Sequence, residues 1–370
     1  MSGVEEVREL FLRYGIKIPR RFSRKEKDTF CSTAGHEFQK AGYPVKAVAG
    51  SKKNIRAVDV VAGDLDQAKT IVVSNYDTPV HNFGNPFNYY PLNGPSTVHA
   101  STFPYYTPLI ICALIAMFLI FFYVKKIDFT NRFWFSLIVV VLIFLCSIVG
   151  YFMSGSVGNK SNMNRNTSGC VANMRIASLL DKAKDSTAFV LTDYGCSRHA
   201  GDEVLRKQTG DSIDSRQVIL LDCIGRGDTV MIGYQKGHKK EAKRLAAYIK
   251  NAKTVLIHPA ALKYTQFSYY PSGLLVTRGI YNPDSHIVTV PDTATKADDT
   301  VDVEAVEELC EAIAAYLEGN KAPFLEPEDS ESDETEAKPE QTVTEPEPQE
   351  EIEEIVETET PEGDSSNDQE

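Results

Sequence analysis

The sequence predicts an α/β domain with a mixed, mostly parallel central sheet and helices on both faces, interrupted by a two-helix transmembrane hairpin. Three observations carry this. Short apolar runs alternate with helix-period segments, the order expected of strands joined by crossover helices. Runs such as TIVVSN (70–75) are apolar without alternation, as in strands buried on both faces. Residues 105–154 hold two longer runs, each about 20 residues and free of charge, enough as helices to cross roughly 30 Å of hydrocarbon.

Taken in order, residues 3–14 have apolar positions at helical spacing, and 22–41 read as a second helix ended by Gly42. Strands are expected at 45–49 and 55–61, joined by the polar turn 50–54, and at 70–78. A segment rich in Pro, Asn, Gly and Tyr, 81–104, leads to the hairpin. Tyr105, Tyr106, Tyr123, Phe133, Trp134 and Tyr151 sit at the ends of its two runs, where amphipathic rings favour the headgroup level. The link KKIDFTNR is short, so the chain returns to the side it left. A Gly/Ser/Asn-rich stretch, 154–166, then opens a helix over 169–182 with Ser168 as its N-cap. Strands follow at 188–193, 218–222 and 229–234, then a helix at 239–252, strands at 254–258 and 274–277, and a closing helix at 303–317.

This organisation divides the chain into a first part of the α/β domain (1–104), the hairpin (105–154), a second part (155–325) and a tail (326–370). The net charge of −12 is uneven: the tail has 20 acidic residues and one basic residue, Lys338, whereas the remainder has 38 basic against 31 acidic. With almost no aromatic side chains, the tail cannot bury enough apolar surface to order itself and is expected to be disordered. The composition gives no reason to expect a nucleic-acid partner. The expected partner is a membrane protein or a peptide.

Two signals bear on location. The N-terminal residues lack a charged segment followed by an apolar one, so no secretory signal is read there. The seven cysteines, Cys31, Cys112, Cys146, Cys170, Cys196, Cys223 and Cys310, are scattered without a CxxC pair, as suits free thiols in a reducing compartment. Lys125, Lys126 and Arg132 in the hairpin link pull the other way, because positive loops favour the cytoplasm and would leave the domain outside. A cytoplasmic domain is the expectation.

Polar segments at strand ends are where such a sheet places its chemistry. Here they are NYD (75–77), DYGC (193–196) and DCIGRG (222–227), joined by NRNTSG (164–169) and PDTATKADDTVD (291–302). Their order resembles that of the co-catalytic zinc aminopeptidases, metallopeptidase family twenty-eight, over residues 1–320 apart from the membrane insertion. The resemblance implies that Asn75 stands at a zinc-binding His, Asp77 at a carboxylate behind the metals, and Arg165 at the metal-bridging Asp, with Asn166, Ser168 and Gly169 retained. It further implies that Gly195 and Cys196 occupy the two Glu positions of general base and ligand, ahead of the retained Gly201. Asp222-Cys223-Ile224-Gly225 keeps its motif, and Asp292-Thr293 falls at a His-Thr pair ahead of Val301-Asp302. The chain is thus read as a degenerate member.

The substitutions remove chemistry. Such a site needs imidazoles, anionic oxygens and a carboxylate to take a proton from metal-bound water. Asn75 is a poor ligand, Gly195 has no side chain, and Arg165 would repel a dication. No catalytic residue and no metal are therefore expected. The function expected is that of a membrane-anchored pseudopeptidase, a binding or scaffolding protein, with Arg165 filling the metal position and pairing with Asp222 and, second, with Asp292. The alternative is a membrane-bound hydrolase with a rebuilt zinc site from Cys196, Asp222 and Asp292, helped by His81, His199 or His286. A Cys196–His199 nucleophile pair lacks an orienting third group. The sequon at Asn166 is better explained by the helix start, and Tyr264, Tyr269 and Tyr270 by packing.

Overall fold

The computed structural model describes residues 2–82, 87–126, 133–153, 157–283, 285 and 287–324. The acidic tail, the hairpin link 127–132 with Arg132, and His286 lie outside the described residues.

Helix α1 (Gly3–Phe11) starts on a capping box between Ser2 and Glu5 and runs on into a wider π-helical segment, Leu12–Lys17. Helix α2 (Arg24–Lys40) starts where the Glu26 carboxylate accepts from the Ser23 amide at 2.9 Å, and the chain leaves it through Gly42 at φ +81°. Strands β1 (Val45–Lys52) and β2 (Ile55–Ala62) form an antiparallel hairpin in which Lys52 faces Ile55. The turn is therefore only Lys53-Asn54, shorter than the polar stretch suggested, because residues 50–52 pair despite their polarity.

Strand β3 (Thr70–Asn75) is followed by two long apolar helices, α3 (Gly94–Lys126) and α4 (Phe133–Met153). Then come α5 (Ser168–Leu179), β4 (Thr187–Thr192), α6 (Ala200–Thr209), β5 (Gln217–Leu221) and β6 (Thr229–Tyr234). The domain closes with α7 (Lys239–Ala246), β7 (Lys253–Leu256), α8 (Pro259–Leu262), β8 (Gly273–Asn282), β9 (Ile287–Thr289) and α9 (Val303–Leu317).

The sheet order is β1-β2-β4-β3-β5-β8-β6-β7, with β9 on β8. Its centre, β4-β3-β5-β8, is parallel, while β1, β2 and β6 join antiparallel. Central strands feed both faces. Val72 and Ile219 pack with α1, α2, α5, α7 and α9 on one side. Their neighbours Ile71, Val73, Val218 and Leu220 pack with Leu205 of α6 and with Phe267 and Tyr270 on the other. That two-faced burial explains why these strands read as unbroken apolar runs.

Three elements differ from expectation. Helix α7 stops at Ala246 rather than running to 252. Helix α3 begins at Gly94, eleven residues before its apolar run, and passes through Pro104 and Pro108. Ser168 does not cap a helix: a π-helical segment, Met163–Thr167, leads straight into α5, and the Ser168 hydroxyl donates to Asn164 O at 2.6 Å. Among the described residues, one helix, over Gly94–Phe121, is long and apolar enough to cross a membrane. The apolar stretch of α4, taken over the described residues, is Leu137–Gly150, short of the ~20 residues a hydrocarbon core takes. Phe118 in α3 and Phe144 in α4 are 60% and 64% exposed.

Candidate functional site

The carboxyl ends of the parallel strands β3, β4 and β5 deliver Asn75, Asp193 and Asp222 to one edge of the sheet. The π-helical segment closes over them. Its backbone is held by Asp298, 1% exposed, whose carboxylate accepts from the amides of Asn164 at 2.7 Å and Arg165 at 3.1 Å. Widening the helix by one residue per turn redirects its side chains, a recurrent device at functional sites. Arg165, 6% exposed, is thereby aimed at the end of β5.

There Arg165 Nη1 donates to Asp222 Oδ1 in a buried ion pair. The other carboxylate oxygen, Oδ2, accepts from the Tyr89 hydroxyl at 2.6 Å, and the Arg165 guanidinium stacks on the Tyr89 ring at 3.6 Å. Tyr89 is fixed by backbone bonds in both directions with Val290, at 2.8 and 2.9 Å. Burial disfavours the guanidinium charge, but Asp222, Tyr89, Cys223 and Cys196 together outweigh it and push the Arg165 pKa well above the usual value. The same burial, with Asp222 alongside, keeps Tyr89 a neutral phenol.

A second cluster adjoins it. The Asn75 amide donates to Gln266 Oε1 at 3.0 Å, and its oxygen accepts from Thr192 Oγ1 at 2.7 Å. Gln266 in turn donates to Asp202 at 2.8 Å. This amide fills the space over Gly195: a Cβ placed there would lie 1.9 Å from Asn75 Cγ. Asp77 Oδ1 accepts from the amides of Gly195 at 2.7 Å and Cys196 at 3.3 Å, so it holds backbone.

Other candidates fall apart from this core. Asp292 adopts φ +64°, which turns its half-exposed side chain outward, and its partner is Arg226 at 3.9 Å. It is not the second partner of Arg165. The Cys196 thiol accepts from Asn166 Nδ2 at 3.0 Å, and burial pushes its pKa far up, so it is no ready nucleophile. His199 faces Asp202 at 3.3 Å and Tyr264 O at 3.3 Å, and His81 faces Asn159 at 2.8 Å. Asn166 is buried, which closes its sequon. Tyr270 is buried and donates to Asp202 at 2.7 Å, whereas Tyr264 is exposed. Tyr89 and Gln266 were not legible beforehand, since one lies in a loop and the other opens a single 3-10 turn, Gln266–Tyr269, too short to show a period.

Two buried carboxyls make the site pH-sensitive. Burial raises Asp298 to about 6 against the ordinary 3.8, outweighing its two amide donors. Burial likewise raises Asp193 to about 6, although Lys27 at 2.6 Å opposes it. The folded chain therefore binds more protons than the unfolded chain in this interval. The contribution of each group is full below the ordinary value and is lost as pH rises through about 6. Asp298→Asn should flatten the pH dependence of the thermal midpoint between about pH 4 and 6; an unchanged slope would count against this assignment.

No protein-family model matches the chain, and no curated protein does. Solved structures match in architecture. A zinc-dependent exopeptidase from Parabacteroides distasonis superposes with a TM-score of 0.53 at 9% identity, covering 86% of this chain and 97% of that one. By its fold, the chain is similar to zinc exopeptidases. An aminopeptidase from Legionella pneumophila (TM-score 0.50, 11% identity, 87% and 73% covered) matches too. So does a glutaminyl cyclase from Tannerella forsythia (TM-score 0.50, 12% identity, 86% and 99% covered).

The residues present do not fit the metal that such a fold implies. Among the described residues, no three His, Cys, Asp or Glu side chains come together as ligands. Asp222 is occupied by Arg165, Asp292 by Arg226, and Cys196 by Asn166, so the set Cys196, Asp222 and Asp292 is not assembled. A cation brought to Asp222 would meet a guanidinium there, at an energy cost that low local dielectric magnifies.

Proposed function

We propose that the chain is a membrane-anchored binding or scaffolding protein built on a zinc-exopeptidase fold and lacking peptidase chemistry. The observation that carries this reading is the buried Arg165–Asp222 pair stacked on Tyr89, a fixed cation at the carboxyl end of the sheet. The amide of Asn75 over Gly195 supports it, because no side chain there could act as a base. On this reading α3 and α4 form a hairpin in the bilayer, the domain faces the cytoplasm, and the cleft receives a peptide or a membrane-protein partner.

The test is metal analysis of the detergent-purified full chain together with a panel of aminoacyl and N-terminal glutaminyl peptide substrates. No stoichiometric transition metal and no turnover are expected. A tightly held metal with turnover that chelation abolishes would overturn the proposal.

A further inference from the structure

A cavity of about 440 Å³ opens above the Arg165–Asp222 pair, within the range of small-molecule sites of about 300–1,000 Å³. Its floor is made by Arg165, Tyr89, Cys196 and Thr293. One wall comes from α3 itself, through Val98, Ser101, Thr102 and Tyr106. The helix that forms this wall continues unbroken into its apolar run.

We propose that this cavity binds an anionic amphiphile, with an acid headgroup on the Arg165 floor and an acyl chain running along α3 toward the bilayer. Three observations converge. No Asp or Glu is among the described residues lining the cavity, while Arg165, His81 and His199 are. An acidic ligand would therefore meet donors and no carboxylate in the lining itself. The hydroxyl of Thr293, a residue 1% exposed and part of the lining, has no hydrogen-bond partner among the described residues. A buried unpaired hydroxyl costs free energy unless something meets it, and an acid oxygen would. Finally, Val98 and Tyr106 are 43% and 50% exposed on the α3 wall, an apolar surface that leads from the polar floor toward the exposed side chains of Ile110 and Leu114. A ligand with one acidic and one apolar end matches both surfaces at once. The inference rests on the proposed membrane anchoring and not on the absence of peptidase chemistry.

The test uses the detergent-solubilised full chain and calorimetric titration with oleate and oleoyl lysophosphatidate. Monoolein supplies the chain without the acid, and inorganic phosphate the acid without the chain. Saturable binding of one or both acidic amphiphiles, tighter than either control, is expected; the tighter of the two names the headgroup. Thr293→Val removes only an unpaired hydroxyl, and should weaken binding about tenfold through loss of one bond to a charged group. Val98→Trp should fill the wall and abolish binding. Equal binding of monoolein or phosphate, absence of saturable binding, or two unaffected variants would each overturn the proposal. Metal-dependent peptide turnover in the same preparation would remove the proposed function while leaving this measurement standing.

Discussion

Arg165→Ala is expected to destabilise the folded domain by about 3–5 kcal/mol, the cost of leaving a buried carboxylate without its counter-charge. Asp222 is 3% exposed and would keep only neutral donors, the Tyr89 hydroxyl at 2.6 Å and the Cys223 thiol at 3.4 Å. The Tyr89 ring would also lose the guanidinium stacked on it. Removing both charges should hurt far less. Arg165→Met with Asp222→Leu leaves no unpaired ion, and such apolar replacements of buried pairs are often neutral or stabilising. Denaturant unfolding of the two variants beside the unaltered chain in one detergent checks this. A loss under about 0.5 kcal/mol for Arg165→Ala would place the side chain at the surface and sink the argument.

The second large effect is at Gly195. A methyl group there would lie 2.0 Å from Asn75 Oδ1, so Gly195→Ala should cost about 1–3 kcal/mol as overpacking. Gly195→Glu, which installs a carboxylate, should cost more, since it also buries a charge beside Asp77. Asn75→Ala alone should cost about 1–3 kcal/mol by stranding Thr192 and Gln266. The two changes together should cost less than their sum, because the first removes the obstacle to the second. Strict additivity in a double-mutant cycle would show that the two positions do not share space. By the same logic, restoring a base at 195 requires changing Asn75 first.

Much of the sheet was legible because its strands announce themselves. The β3, β4 and β5 segments are continuous apolar runs, and α9 has the bounds read from the sequence; the structure adds its cap, Asp302, whose carboxylate accepts from Ala305 N at 3.1 Å. Helix α6 was not legible: it starts after His199 at φ +50°, with no side-chain cap to mark it. The first turns of α3 were hidden for a related reason, since PSTVHASTFP is polar and contains two prolines, and it is helical through its continuity with the apolar run. At the site, the pairing of Arg165 with Asp222 could be reasoned from charge once the family resemblance put Arg165 at the metal-bridging position. Asp292 could not be placed that way, because its left-handed backbone, not its charge, decides where it points. The π-helical widening that aims Arg165 has no sequence signature of its own.

The ion pair at the end of β5 also changes how the domain depends on its surroundings. A fold that takes its central positive charge from a bound metal is stabilised by mass action, in proportion to the logarithm of metal activity over the dissociation constant. Starved of metal, it weakens. Arg165 is tethered to the chain, so its charge is present at one fixed effective concentration whatever the medium holds. On the proposed reading, the folding equilibrium at Asp222 is decoupled from metal supply and from chelators, and what remains variable there is whatever enters the cavity above it.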